Sequence, residues 1–362
     1  MLIYICLIVF IMIFGILLFI NAKEEKTIEK RKKSFLIIIF FILFLIMGFR
    51  EVGVGTDTTQ YVSVFLNYSK TSLSSILSTR NSFIGYALLN KLICIFSTEP
   101  HTILIVSSAI ILYLIAKFIY KNSDHVVYST VLFILFYHYF AAFNISRQYI
   151  SIAIIANAYT LLKEKKIFKY LVACLIAISI HNTAVVGLTL IPLAYMNFTK
   201  KNITLYSTII LGVIFIVPYF MELFVRLFPH YEIYFQERYL SNSGLGSIVM
   251  ILIYLFINVM AILFKSRKKE AEDRDYYMML IINTLTLMTS IVASNIFIIN
   301  RMTLYYAIFS IAFIPKVFDR ISKNIILYFI FFMLMLFPFA YRLASNDSEV
   351  LPYKNYIINQ GD

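Results

Sequence analysis

The sequence predicts an all-α polytopic membrane protein, and three observations carry that prediction. Hydrophobic residues make up 61% of the 362 residues, and the mean hydropathy is +0.83. Only 14% of residues are charged, against about 25% in soluble domains. Apolar runs of about 16–22 residues recur from end to end, each close to the roughly 20 residues that cross about 30 Å of hydrocarbon. No stretch is long and polar enough for a soluble domain, so residues 1–362 read as one integral membrane domain.

The spans follow from the apolar runs and the basic clusters between them. Residues 1–20 lack a basic segment before the apolar core and a small-residue cleavage site after it, so they read as a retained helix rather than a signal peptide. Further spans are read at 34–49, 103–119, 126–143, 147–162, 167–181, 183–199, 204–221, 248–264, 276–298, 302–316 and 325–340, which makes about twelve. The basic clusters 23–33, 117–124, 163–169, 200–201, 265–274 and 316–323 hold 22 of the 32 Lys and Arg residues. Placed in the cytoplasm, as the positive-inside rule directs, they put both termini outside. Phe83–Ser97 carries Lys91, and spanning there would invert every later cluster. It reads as a re-entrant or interfacial helix. Residues 50–102 then form one outer lobe and 222–247 a second.

The outer face has its own chemistry. Seven of its ten basic residues are arginine, whereas four of the 22 cytoplasmic ones are. The positive-inside rule accepts either residue, so it leaves the outer bias unexplained. The planar arginine fork grips phosphate or carboxylate in two places, which points to an anionic ligand. Three outward-facing helix starts add to this: Asn144-Ile145-Ser146-Arg147-Gln148, His181-Asn182-Thr183 and Asn300-Arg301-Met302-Thr303. Each offers an Asn or Ser for N-cap duty beside Arg or His. A helix N-terminus favours anions, so an arginine there calls for a bound anion. Arg147 and Arg301 are the leading candidates, with Arg238-Tyr239 in the second lobe behind them.

Other patterns exclude more than they suggest. Gly53-Val54-Gly55-Thr56-Asp57 lacks the lysine of a phosphate loop and reads as a turn or a substrate loop containing Arg50 and Asp57. Asp273-Arg274-Asp275 imitates a metal-binding DxD pair but sits in the solvated, charged loop KSRKKEAEDRD (265–275), with no domain around it. Cys6, Cys94 and Cys174 are far apart in apolar runs, which argues against a disulfide framework or metal cluster. The net charge of +13 is dispersed between helices, so nucleic acid is not the expected partner. His181, at a sharp outer turn, is a candidate for proton transfer. His138 reads as part of an interfacial aromatic belt, and His101, His125 and His230 fall in no pattern. No metal and no cofactor are expected.

These pieces also occur in a recognisable order: GFR-x-VGVGTD-x-x-x-Y from Gly48 to Tyr61, GYALLN from Gly85, SRQYISIAIIANAY from Ser146, ISIHNTAVV around His181, NRMTLYY from Asn300 and PYKNY from Pro352. In that order the chain resembles the EpsG-like polysaccharide polymerases, relatives of the Wzy O-antigen polymerases. The resemblance covers nearly the whole chain. It implies a GT-C-like helical fold in the bacterial plasma membrane and metal-independent glycosyl transfer on its outer face. The implied substrate is an oligosaccharide repeat unit on polyprenyl pyrophosphate, with a flippase and a chain-length regulator as partners. Arg147 and Arg301, with Arg50, Arg80 or Arg238, are then expected to hold the pyrophosphate. His181 or Asp57 is expected to assist the acceptor hydroxyl, and Tyr61, Gln148 and Tyr239 to contact sugar or phosphate. A lipid-linked oligosaccharide transporter or a glycan ligase is the alternative. The absence of an internal repeat and the gathering of ionisable groups at outer helix ends count against transport.

Overall fold

A computed structural model describes residues 1–21, 24–78, 83–227, 245–264, 270–294, 297–321 and 325–358. The described residues form helices, with one isolated antiparallel bridge between Arg50 and Asn355 and no other β pairing among them. Among the described residues five helices are long and apolar enough to cross a membrane, or seven when each of two bent pairs counts as one span. The chain is therefore a multi-pass membrane protein. It divides into two compact units: residues 1–161, 168–185 and 339–362, and residues 162–167 and 186–338.

The first unit holds α1 (Leu2–Phe19), α2 (Glu25–Gly48), α3 (Thr58–Lys70), α4 (Leu73–Ser78), α5 (Ile84–Cys94), α6 (Thr102–Asn122), α7 (Val126–Leu135), α8 (His138–Asn144), most of α9 (Ser146–Lys163) and α10 (Ile167–Ile180). Helices α2 and α6 run antiparallel and in contact. At one end Tyr120 donates a hydrogen bond to Glu29, Lys33 Nζ lies 5.5 Å from the Tyr120 ring, and Arg31 donates to Leu18 O at 2.7 Å. At the other end His101 Nε2 meets Gly48 O at 3.1 Å. Phe65, Ile93, Ile103 and Leu104 form an apolar cluster that packs α3, α5 and α6 together. With 11 residues, α5 is about 16 Å long at the α-helical rise, too short to span.

That second end of α2 is built around Arg50, whose side chain is 0% exposed. Its guanidinium donates to Met47 O and, at 3.0 Å, to Phe143 O, and lies 4.9 Å from the Phe143 ring. Burial lowers it to about 10, well above neutral pH, so it remains charged. The residues after α16 return across it. Glu51 N donates to Lys354 O at 3.0 Å, Gly55 N to Glu349 O at 2.8 Å, and Tyr356 N to Phe49 O at 2.8 Å. Phenols anchor the same layer: Tyr4 donates to Val350 O (3.0 Å), Tyr139 to Leu43 O (2.8 Å) and Tyr353 to Ile46 O (3.0 Å). Tyr356 stacks on His101 with ring centroids 3.8 Å apart.

Asn144 closes the layer. Its Oδ1 accepts from Thr56 N and its Nδ2 donates to Ser348 O, both at 3.0 Å. Asn144 is thus no helix cap but a brace between two loops, and Ser146 Oγ turns back to Ala142 O at 2.7 Å rather than capping α9. Gly55 has φ +103°, and a Cβ there would lie 2.6 Å from Asn144 Oδ1. The loop therefore needs glycine both for its conformation and for its closeness to Asn144.

The second unit holds a 3-10 helix (Asn182–Ala194), α11 (Lys200–Leu227), α12 (Leu245–Leu263), α13 (Glu270–Ala293), α14 (Phe297–Ala307), α15 (Ser310–Ile321) and most of α16 (Ile325–Ser345), although the first few residues of the 3-10 helix and the end of α16 belong to the first unit. Helix α13 packs against α11, α12, α14 and α15. Asp275 pairs with Lys163 (3.2 Å) and Lys316 (3.4 Å), while Arg274 donates to Lys163 O (3.2 Å) and Ala194 O (2.7 Å). Arg274 and Asp275 are therefore not solvated loop residues. Both are half-buried within α13 and tie helix ends together.

Several expected spans differ in detail. The run 126–143 bends by 52° between α7 and α8, where Tyr137 adopts a left-handed backbone. The run 302–316 lies in a pair bent by 49° between Ala307 and Ser310. Residues 182–194 wind as a 3-10 helix instead of an α-helix.

Replacing Arg50 with Met keeps the side-chain volume near that of arginine but leaves Met47 O without its donor and Phe143 O with the 3.3 Å bond from Ser146 Oγ alone. At about 1–3 kcal/mol for a buried group stranded, Arg50→Met should lower stability by about 1–3 kcal/mol, read by chemical unfolding in detergent. Burial also lowers the His101 imidazole below its ordinary value. The unfolded chain then takes up a proton below about pH 6.5 that the folded form resists. Stability should be complete above that pH and fall toward pH 5, and His101→Gln should flatten the fall in melting temperature.

Candidate functional site

Within the first unit, the N-terminus of α9 meets α5 and the turn after α10. Arg147 is the second residue of α9 and half-buried. Its guanidinium carbon lies 3.9 Å from the centroid of the Phe83 ring and 5.6 Å from that of Tyr86. Phe83 precedes α5 and Tyr86 lies in its first turn, so one edge of a short helix supplies both rings. Among the described residues the Arg147 fork has no carboxylate or carbonyl partner, and its Nε is buried without one. This guanidinium is held by aromatic faces, which use none of its N–H donors.

His181 also stacks on Phe83, with ring centroids 6.0 Å apart. Its Nδ1 lies 2.7 Å from Thr183 Oγ1, which fixes the imidazole's orientation. The approach of α5 to this turn depends on Gly85. A Cβ there would collide with Ser179 Oγ and lie 2.9 Å from the Ser179 carbonyl carbon. Tyr61, from α3, packs edge-on against Tyr86 at 6.2 Å.

The structure thus brings Arg147, His181 and Tyr61 around Phe83 and Tyr86. Gln148 neighbours Arg147 in sequence but is 1% exposed, inside the α9 packing. Asp57 is half-buried at the start of α3 and accepts from Thr56 Oγ1 at 3.3 Å. Arg50 is not part of this surface, because its fork is occupied by backbone carbonyls. Arg301 is exposed and belongs to the second unit. Its helix begins at Phe297, so Arg301 sits one turn inside α14 rather than at a helix start. Arg80, Arg238 and Tyr239 lie outside the described residues. Among the described residues no group of three His, Cys, Asp or Glu side chains is placed to hold a metal ion.

Sequence reasoning missed Phe83, Gly85, Tyr86 and Asn90 as site-building residues. Their signal was the spacing of Phe83, Tyr86 and Asn90, one stripe along a helix, in a segment read as a re-entrant or interfacial helix and as the motif GYALLN.

A family model described as the EpsG family matches residues 33–355. The match runs from α2 to the returning C-terminal segment and contains every residue of the site. No curated protein and no solved structure matches the chain.

Gly85→Ala forces α5 away from Ser179. Overpacking of this kind costs about 1–3 kcal/mol, and here it also displaces both rings under Arg147. The variant should therefore lose most of its activity while still folding, measured as polymer formed per unit of purified, monodisperse protein.

Proposed function

Because the chain belongs to the EpsG family, we propose that it is a membrane glycosyltransferase that joins lipid-linked oligosaccharide repeat units into a polysaccharide. The donor is a glycan on polyprenyl pyrophosphate and the acceptor is the next lipid-linked unit. The observation that carries this reading is the Arg147 fork, mounted on aromatic faces with its hydrogen-bond donors uncommitted among the described residues. Such a group suits an oxyanion that arrives with the substrate.

In the transfer, the bond between the anomeric carbon and the pyrophosphate oxygen breaks, and the oxygen keeps the electron pair. The acceptor hydroxyl oxygen bonds to that carbon, and its proton passes to a base. Arg147 holds the departing pyrophosphate, with Arg301 as a second candidate clamp. A donor of this kind is worth roughly 2.7–4 kcal/mol in the transition state. His181, oriented by Thr183, is the favoured base, and Asp57 is the other candidate. The arginine forks take the place of a metal cation at the leaving group.

The finer topology belongs to this proposal. It comprises about twelve spans with α5 re-entrant or interfacial, a GT-C-like arrangement, both termini outside and the site on the outer face of a bacterial plasma membrane. The product is exopolysaccharide, capsule or O-antigen, built beside a flippase and a chain-length regulator.

Arg147→Ala should leave single repeat units on the lipid in the outer leaflet. Accumulation in the inner leaflet would replace this reading with transport, and long chains retained on the lipid would replace it with ligation. Arg147→Lys should fall by about 10²-fold in rate if the fork itself matters. Full activity would sink the forked contact.

A further inference from the structure

The α5 stripe carries more polar capacity than its packing uses. Tyr86 is 2% exposed and Asn90 is 0% exposed. Asn90 Nδ2 donates to Tyr86 O at 2.7 Å, which leaves its Oδ1 facing inward. The Asn90 side chain lies close enough to the Tyr86 phenol to act on it as a weak hydrogen-bonding neighbour, without a bond of good geometry, and Arg147 acts on the same phenol through its charge. Yet Tyr86 OH, Asn90 Oδ1 and Arg147 Nε all lack a hydrogen-bond partner while being closed to solvent. Buried polar atoms are nearly always paired, and stranding one costs stability. Three stranded in one neighbourhood indicate a site completed by something that is not part of the chain.

The three atoms differ in kind. Arg147 supplies only donors, Asn90 Oδ1 only accepts, and the phenol does either. An inorganic anion without a hydroxyl, such as sulfate, would satisfy the guanidinium and repel the amide oxygen. A ligand that also carries hydroxyl groups satisfies all three. We propose that Tyr86 and Asn90 form the sugar-reading wall of the site, so that it takes a hexosyl phosphate: phosphate on Arg147, a ring hydroxyl on the α5 pair. This rests on the anion role given to Arg147 under Proposed function, and it makes α5 a specificity element as well as an anchor.

Stability and binding should then move in opposite directions. Tyr86→Phe deletes a hydroxyl with no partner, so its melting temperature should equal or exceed that of the parent protein. The full-length protein in lipid nanodiscs is titrated with inorganic phosphate and with glucose, galactose and N-acetylglucosamine 1-phosphates. The parent should bind at least one sugar phosphate about tenfold tighter than phosphate, since one well-made buried hydrogen bond is worth about that factor. Tyr86→Phe and Asn90→Ala should each abolish that preference and leave phosphate affinity within twofold.

A parent without sugar preference, or a preference that survives both substitutions, overturns the proposal. So does a Tyr86→Phe melting temperature several degrees lower, because the hydroxyl would then serve the fold through a bound water. Arg147→Ala separates the two readings. If it binds phosphate as the parent does, the anion role fails, whatever happens at α5.

Discussion

A buried guanidinium must find acceptors, and the end of the first unit is arranged around that requirement. Arg50 follows directly on the apolar α2 and is fully enclosed. No carboxylate is among its hydrogen-bond partners, so carbonyls at helix ends take that place. Those carbonyls are available because the last residues of a helix leave theirs unpaired. Using them fixes where α8 ends relative to α2. The same need for partners draws in the C-terminal segment, whose backbone pairs with residues 49–55. The loop of α2, the start of α9 and the returning chain are thereby held in one layer, and the candidate site is assembled beside it.

The two arginines of this unit show why residue type alone did not separate structure from function. Arg50 and Arg147 both sit beside apolar helices in segments rich in small or polar residues, and both looked like phosphate ligands. What differs is the set of neighbours, which are distant in sequence. Phe143 lies 93 residues from Arg50 and supplies both a carbonyl and a ring. Phe83 and Tyr86 supply Arg147 with rings and no acceptor. Only the fold reveals that carbonyls occupy the two terminal nitrogens of Arg50 and not those of Arg147, since the Nε of each is buried without a partner.

Helices and the family were legible because hydropathy and motif order are local signals. The bends were less so. The α7–α8 break rests on Tyr137 in a left-handed backbone, a conformation rare outside glycine and asparagine, and nothing in YHYF announces it. Arg274 and Asp275 read as loop charges because the partners that bury them, Lys163 and Lys316, lie more than a hundred and about forty residues away. Asn144 looked like a cap because caps are the commonest use of Asn before a helix. Its actual partners, Thr56 and Ser348, come from two separate loops. Asn90 was marked only by its place in GYALLN and its helical spacing from Phe83 and Tyr86.

The choice of aromatic support for Arg147 has a chemical logic. A carboxylate within reach would hold the side chain in place, but it would occupy the fork and cancel the charge that an anion must meet. Water would leave it mobile. A ring face attracts the guanidinium through its quadrupole while every N–H stays directed outward in the guanidinium plane. The cost appears elsewhere, in the closeness of α5 to Ser179, which tolerates only glycine at position 85, and in polar atoms left unsatisfied on α5. A charge held without being neutralised, at a helix N-terminus whose dipole also favours negative charge, is poised for a ligand that brings its own negative charge. Under the proposed function, that arrangement costs stability by itself, and an anion arriving with the substrate offsets the cost.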